Sequence, residues 1–151
     1  MAEQTQSSIV IDASPAQVME VIADLVAYPD WSDGITSVKI LSIYEDDRRP
    51  ADARFQLASG PIKDTYELEY DWDGDHTVTW KLTKADVLTA MDGAYVLTDN
   101  GNGTTTVEYR LAVDVKIPMI GMLKRKAEKV IVETALKGLK KRVESGATSP
   151  S

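Results

Sequence analysis

The sequence predicts an α+β domain: a curved antiparallel sheet of seven strands around one long C-terminal helix, with two short helices after the first strand. Three observations predict it. Residues 35–115 read as successive period-two segments separated by turn residues. One long helical pattern, about residues 119–143, closes the chain. Its apolar residues spread over most of the helical wheel, whereas a helix lying on an open sheet needs a stripe only about 100° wide. Such a helix has to be gripped by a curved sheet and by neighbouring helices. A curved sheet cannot close on one helix without filler, so aromatic side chains, a cavity, or both are expected inside.

Taken in order, residues 7–12 form a short strand. Ser14 then caps a helix, with Pro15 at its first position and Gln17 at its third completing a capping box. Val18, Val21, Ile22 and Leu25 fall on one face. Pro29 disfavours helical geometry at Tyr28, so the helix ends before it, and a second short turn runs from Pro29 towards Gly34. Strands follow at 35–44, 53–57, 62–72, 76–82, 86–98 and 104–115. Asp46–Pro50, Ser59–Pro61 and Asp99–Gly103 are turns, the last marked by Asn100-Gly101. Within 62–72, Ile62, Tyr66, Leu68, Tyr70 and Trp72 alternate with polar residues, the pattern of a half-buried strand. A two-residue turn at Asp73-Gly74 would put the apolar rows of this hairpin on opposite faces. A three-residue loop, Asp73 to Asp75, pairs Trp72 with His76, Tyr70 with Val78 and Leu68 with Trp80 on one face, and is therefore expected. On the closing helix, Lys126, Lys129, Glu133, Lys137, Lys140 and Glu144 form a charged stripe. The apolar remainder, Val130, Ile131, Val132, Leu136, Leu139 and Val143 among it, covers the rest.

The 151 residues suit one domain, and 43% apolar content is enough for a core without metal or disulfide. With no Cys, disulfides, thiolate catalysis and Cys-based zinc sites are excluded; one His excludes a His-rich cage. The start has no basic-then-apolar signal pattern, and no run approaches the ~18 apolar residues of a membrane span. A cytoplasmic protein is expected. Residues 1–115 carry 8 Lys/Arg against 21 Asp/Glu, and residues 116–151 carry 9 against 3. Overall acidity argues against nucleic acid as the main partner, and the basic end reads as solubilising charge on one helix face. Residues 1–144 are expected to form one domain and 145–151 a disordered tail.

These segments together resemble a known family. Residues 8–31, SIVIDASPAQVMEVIADLVAYPDW, are similar to the opening of the polyketide cyclase/dehydrase and lipid-transport family, within the START-like (SRPBCC, Bet-v-1-type) superfamily. There a strand leads to a Pro-headed helix and then to Tyr-Pro-x-Trp. Residues 99–115, DNGNGTTTVEYRLAVDV, and 136–144, LKGLKKRVE, resemble its later segments. The resemblance covers 7–144 and implies a helix-grip fold with a cavity between long helix and sheet. It implies ligands such as lipids, polyketides or isoprenoids, and it brings no universal catalytic residue.

Trp31, Phe55, Tyr66, Leu68, Tyr70, Val78, Trp80, Tyr109, Leu111, Met119, Met122 and Leu123 are the residues expected to line that cavity, ordinary core packing being the competing role for the aliphatic ones. Asp64 shares the inward parity of Ile62, Tyr66 and Leu68; buried, it would need a partner, and it is the best candidate for acid–base chemistry on a ketone. Asp71, Asp73, Asp75 and His76 match no calcium or zinc spacing and read as a surface turn. No catalytic residue, metal or cofactor is assigned. The expected function is binding or transport of a hydrophobic small molecule. The alternatives are a polyketide cyclase/dehydratase-type enzyme using the same cavity, and a protein-interaction module without ligand. Expected partners are that ligand alone, with no nucleic acid, no stable membrane insertion, and a monomer or weak homodimer.

Overall fold

The first helix begins where its capping box requires. In a computed structural model that describes residues 5–32, 34–59, 62–115 and 121–145, Ser14 Oγ accepts from the Gln17 amide at 3.3 Å and Gln17 Oε1 accepts from the Ser14 amide at 3.0 Å. The chain runs β1 (Thr5–Ile11), α1 (Pro15–Ala23), a 3-10 turn (Leu25–Ala27), α2 (Tyr28–Trp31), β2 (Ile35–Ile43) and β3 (Pro50–Ser59). It continues through β4 (Ile62–Asp73), β5 (Thr77–Ala85), β6 (Leu88–Asp99), β7 (Thr105–Val115) and α3 (Gly121–Glu144). Pro29 is accommodated in the first turn of α2, where its missing N–H leaves no helical bond unmade.

The strands form one antiparallel sheet in the order β1-β7-β6-β5-β4-β3-β2, so the first two strands in sequence are its two edges. Register shifts in the β2/β3, β4/β5 and β6/β7 pairs bend it. This is the curved seven-stranded architecture the patterning predicts. The inner face buries Phe55, Tyr66, Leu68, Tyr70, Val78, Trp80, Leu97, Val107, Tyr109 and Leu111. The same core includes Val18, Met19 and Ile22 of α1 and Val132, Leu136, Leu139 and Val143 of α3. The close approaches of the α3 backbone are to β1 and β7 and to α1 and α2. At Gly138 the chain of α2 comes so near that an added Cβ would lie 2.6 Å from the Trp31 carbonyl oxygen.

Two expectations need correction. The β4–β5 loop has three residues, but β4 and β5 pair Tyr70 with Trp80, Trp72 with Val78 and Asp73 with Thr77, a register displaced by two from the expected one. Leu68 accordingly faces Leu82. Face parity is blind to an even slip. What fixes the register is the turn: Gly74 adopts φ 55°, and the His76 N–H closes onto the Asp73 carbonyl at 3.1 Å. The second correction concerns α3. Val130 and Ile131 are 58% and 46% exposed, because sheet and short helices cover only the side bearing Val132, Leu136, Leu139 and Val143. The Gly60-Pro61 turn, the helix entry at 116–120 and the tail at 146–151 lie outside the described residues.

Candidate ligand site

Strands β3 to β7 each place aromatic rings on their inward rows, and the register sets them side by side. Phe55 pairs with Tyr66, Tyr70 with Trp80, and Tyr95 with Tyr109. Phe55 stacks on Tyr66 with centroids 5.3 Å apart. Trp80 lies 5.9 Å from Tyr70, 5.4 Å from Tyr95 and 5.7 Å from Tyr109, and the last two are 4.6 Å from each other. Gly93, opposite Trp80 on β6, makes room for the indole, which a Cβ there would strike. Tyr28 and Trp31 of α2, 4.8 Å apart, extend the row through Tyr28 to Phe55. Trp72 stacks on Tyr70, and its indole donates to the Pro50 carbonyl at 2.6 Å. Nine of the ten aromatic side chains thus form one contiguous belt, and the tenth, Tyr44, donates to the Tyr70 carbonyl at 2.6 Å.

The hydroxyls of the belt separate its members. Tyr28 Oη donates to the Ile22 carbonyl at 2.5 Å. Among the described residues, the hydroxyls of Tyr66, Tyr70, Tyr95 and Tyr109 have no hydrogen-bond partner. These residues are buried, with 3–8% exposure each, yet their hydroxyls are not sealed. Trp31 Nε1 is the described polar side-chain atom that is both sealed and unpartnered. Burial raises all four phenols well above the ordinary tyrosine range. Neighbouring phenols add to this for Tyr66, Tyr70 and Tyr95. Four neutral O–H groups therefore share one locality, each able to donate and to accept.

Of the residues expected at the site, Phe55, Tyr66, Tyr70, Trp80 and Tyr109 come together in the belt, with Trp31 at its α2 end. Leu68, Val78 and Leu111 lie in the apolar core around it. Met119 lies outside the described residues, as do the side chains of Met122 and Leu123 in the first turn of α3. The expected site residues did not include Tyr28, Trp72 or Tyr95, which also belong to the belt. Hairpin parity across Asn100-Gly101 sets Tyr95 on the face of Tyr109, and that was the available signal. On the outside, Pro29–Ser32, Gly34–Thr36 and Ala58 line an open groove of about 420 Å³.

The buried acids are fully engaged. Asp64 Oδ1 accepts from the Asp86 N–H at 3.0 Å, and Oδ2 accepts from Val87 at 3.2 Å and Leu88 at 2.9 Å. The partner its burial demands is backbone, and the carboxyl holds the β5–β6 turn instead of facing a ketone. Arg54 pairs with Glu67 at 3.1 Å. Glu128, which charge patterning did not single out, is 2% exposed. It accepts from Thr5 Oγ1 at 2.8 Å and from the Val113 N–H at 2.7 Å, tying α3 to β1 and β7. Asp75 pairs with Arg49 at 2.6 Å. No group of three His, Asp or Glu among the described residues is arranged to hold a metal.

The sequence matches, over residues 2–144, the family described as polyketide cyclase/dehydrase and lipid transport. Its fold is similar to that of a START superfamily protein from Mycobacterium smegmatis, with 23% identity over 95% of this chain and 98% of that one and a TM-score of 0.87. A protein of Thermus thermophilus is 22% identical over 95% and 99% of the two chains, with a TM-score of 0.77. The Zhui aromatase/cyclase from Streptomyces sp. R1128 is 14% identical over 97% and 98%, with a TM-score of 0.74. At these identities the likeness is one of fold. No curated protein matches the sequence.

Proposed function

The chain belongs to the polyketide cyclase/dehydrase and lipid-transport family, and from that premise we propose that it binds or carries a hydrophobic small molecule in an internal cavity walled by the aromatic belt. The four unpartnered phenols carry this reading. A phenol whose hydroxyl is neither sealed nor bonded within the chain is free to bond a water or a ligand oxygen. Helix α3 lies against the β7 and α2 ends of the belt, so the proposed cavity is bounded by its buried side, which bears Val132, Leu136, Leu139 and Val143. The ligand is then mostly apolar, with oxygen atoms placed to meet the phenols. Burying ~300 Å² of its apolar surface contributes several kcal/mol at ~25 cal/mol/Å² before entropic costs. Residues 1–144 act as one binding domain.

The test is calorimetry with fatty acids, isoprenoids and aromatic polyketides on the wild type and on Tyr66→Phe, Tyr70→Phe, Tyr95→Phe and Tyr109→Phe. Oxygenated ligands should weaken roughly two- to ten-fold per hydroxyl removed. Affinity unchanged in all four variants would remove the phenols from the site. The same hydroxyls favour a second reading, a cyclase or dehydratase-type enzyme in which neutral phenols polarise ketones of a confined chain. Conversion of a poly-ketone thioester to a ring product, lost in the Phe variants, distinguishes the two.

A further inference from the structure

Helix α3 and the rest of the chain carry opposite charge. Residues 121–144 hold 8 Lys/Arg and 3 Asp/Glu, while all other residues together hold 9 and 21. Lys126, Lys129, Lys137 and Lys141 are exposed, and none of them forms an ion pair among the described residues. Other cations near them are engaged: Lys140 bonds the Val10 carbonyl and Glu144, and Arg142 lies 3.9 Å from Asp30. At about 100° per residue, Val130 falls on the same arc as Lys126, Lys137 and Lys141. It is 58% exposed, and Ile131 beside it is 46% exposed. Two acids share the face, Glu133 and Glu144, and Glu144 is engaged by Lys140. Val130 thus lies bare within the lysine arc, and Ile131, about 100° further round, marks its edge.

We propose that the outward face of α3 docks the protein on an anionic lipid surface, with the lysines among the headgroups and Val130 and Ile131 at the interface. The charge on this face is lopsided, with four lysines exposed on it and unpaired among the described residues, and at physiological salt charges more than about 8 Å away are largely screened from a surface it meets. Nucleic acid fits less well, because the free cations described on the face are lysines with no arginine fork or aromatic ring among them. The inference concerns the outside of the fold and does not rest on the proposed ligand.

Co-sedimentation with vesicles tests it. Phosphatidylcholine vesicles containing about one-third phosphatidylserine should pellet the full-length protein at about 0.05 M salt, release it at about 0.5 M, and pure phosphatidylcholine should not retain it. Each lysine near such a surface contributes about five-fold to partitioning. Lys126→Gln, Lys129→Gln, Lys137→Gln and Lys141→Gln combined should therefore abolish binding, at unchanged far-ultraviolet circular dichroism. Lys39→Gln, Lys63→Gln, Lys81→Gln and Lys84→Gln, which change net charge equally at exposed strand positions, should leave it intact. Equal binding to both vesicle types, equal loss in the two quadruple variants, or binding to duplex DNA in place of vesicles would overturn the proposal.

Discussion

Asp64 and Tyr66 lie two residues apart on the same inward row of β4, both buried, and their polar atoms meet opposite fates. The Asp64 carboxyl accepts three backbone N–H groups. The Tyr66 hydroxyl has no partner among the described residues. Glu128 repeats the first pattern; Tyr70, Tyr95 and Tyr109 repeat the second. A buried polar group that holds the frame together is satisfied inside the chain. A cluster left unsatisfied in an otherwise well-bonded interior separates the site from the frame.

Alkali should expose this difference most strongly. Burial raises Tyr28, Tyr66, Tyr70, Tyr95 and Tyr109 above the ordinary tyrosine value. The unfolded chain therefore releases these protons near pH 10 while the folded chain keeps them. The stability tied to those protons is complete below about pH 10 and is lost as pH rises towards the folded values. The five tyrosines act in the same direction, so their effects on stability reinforce one another above pH 10. Urea midpoints from about pH 8 to 11.5 should fall steeply. A flat profile would mean that the phenols ionise freely in the folded state.

The frame side of the comparison predicts the next largest effect. Asp64→Ala orphans three amides and should cost about 3 kcal/mol or more in denaturant unfolding, and Glu128→Ala should cost nearly as much. A loss below about 1 kcal/mol would show that the carboxyls are not structural. Gly93→Ala should cost about 2 kcal/mol by driving Trp80 out of its place, with a shift in tryptophan emission that a remote Gly→Ala change would not give. The smallest effects belong to the site. Tyr66→Phe, Tyr70→Phe, Tyr95→Phe and Tyr109→Phe break no bond in the chain and should each stay within about 0.5 kcal/mol of wild type. Tyr28→Phe removes the bond to Ile22 and should cost about 1 kcal/mol. Equal losses at Tyr28 and at the other four would erase the distinction.

Much of the frame was legible in the residues, and the reason is parity. Alternation places Tyr66, Leu68 and Tyr70 inward whatever the register, and the Ser14–Gln17 capping box is a local signal that tertiary packing did not override. Parity also set the limit, since an even slip at Asp73–His76 preserves every face. The exposure of Val130 and Ile131 was hidden because a wheel gives the apolar arc and not which part of it the sheet reaches. Glu128 was hidden because a helical Glu among lysines looks like solvated charge until the fold brings Thr5 to it from β1 and Val113 from β7. The candidate site was legible as a list of rings. That four of its hydroxyls lack partners depends on atoms distributed over β4, β6 and β7, and no spacing encodes it.

The most direct test of a ligand facing those phenols is native mass spectrometry of freshly purified protein beside the same sample denatured and extracted. The account predicts a stoichiometric, mostly apolar molecule bearing oxygen, retained by the folded chain and released on denaturation. A clean apo mass, with no thermal shift across fatty acids, isoprenoids and aromatic polyketides, would contradict it.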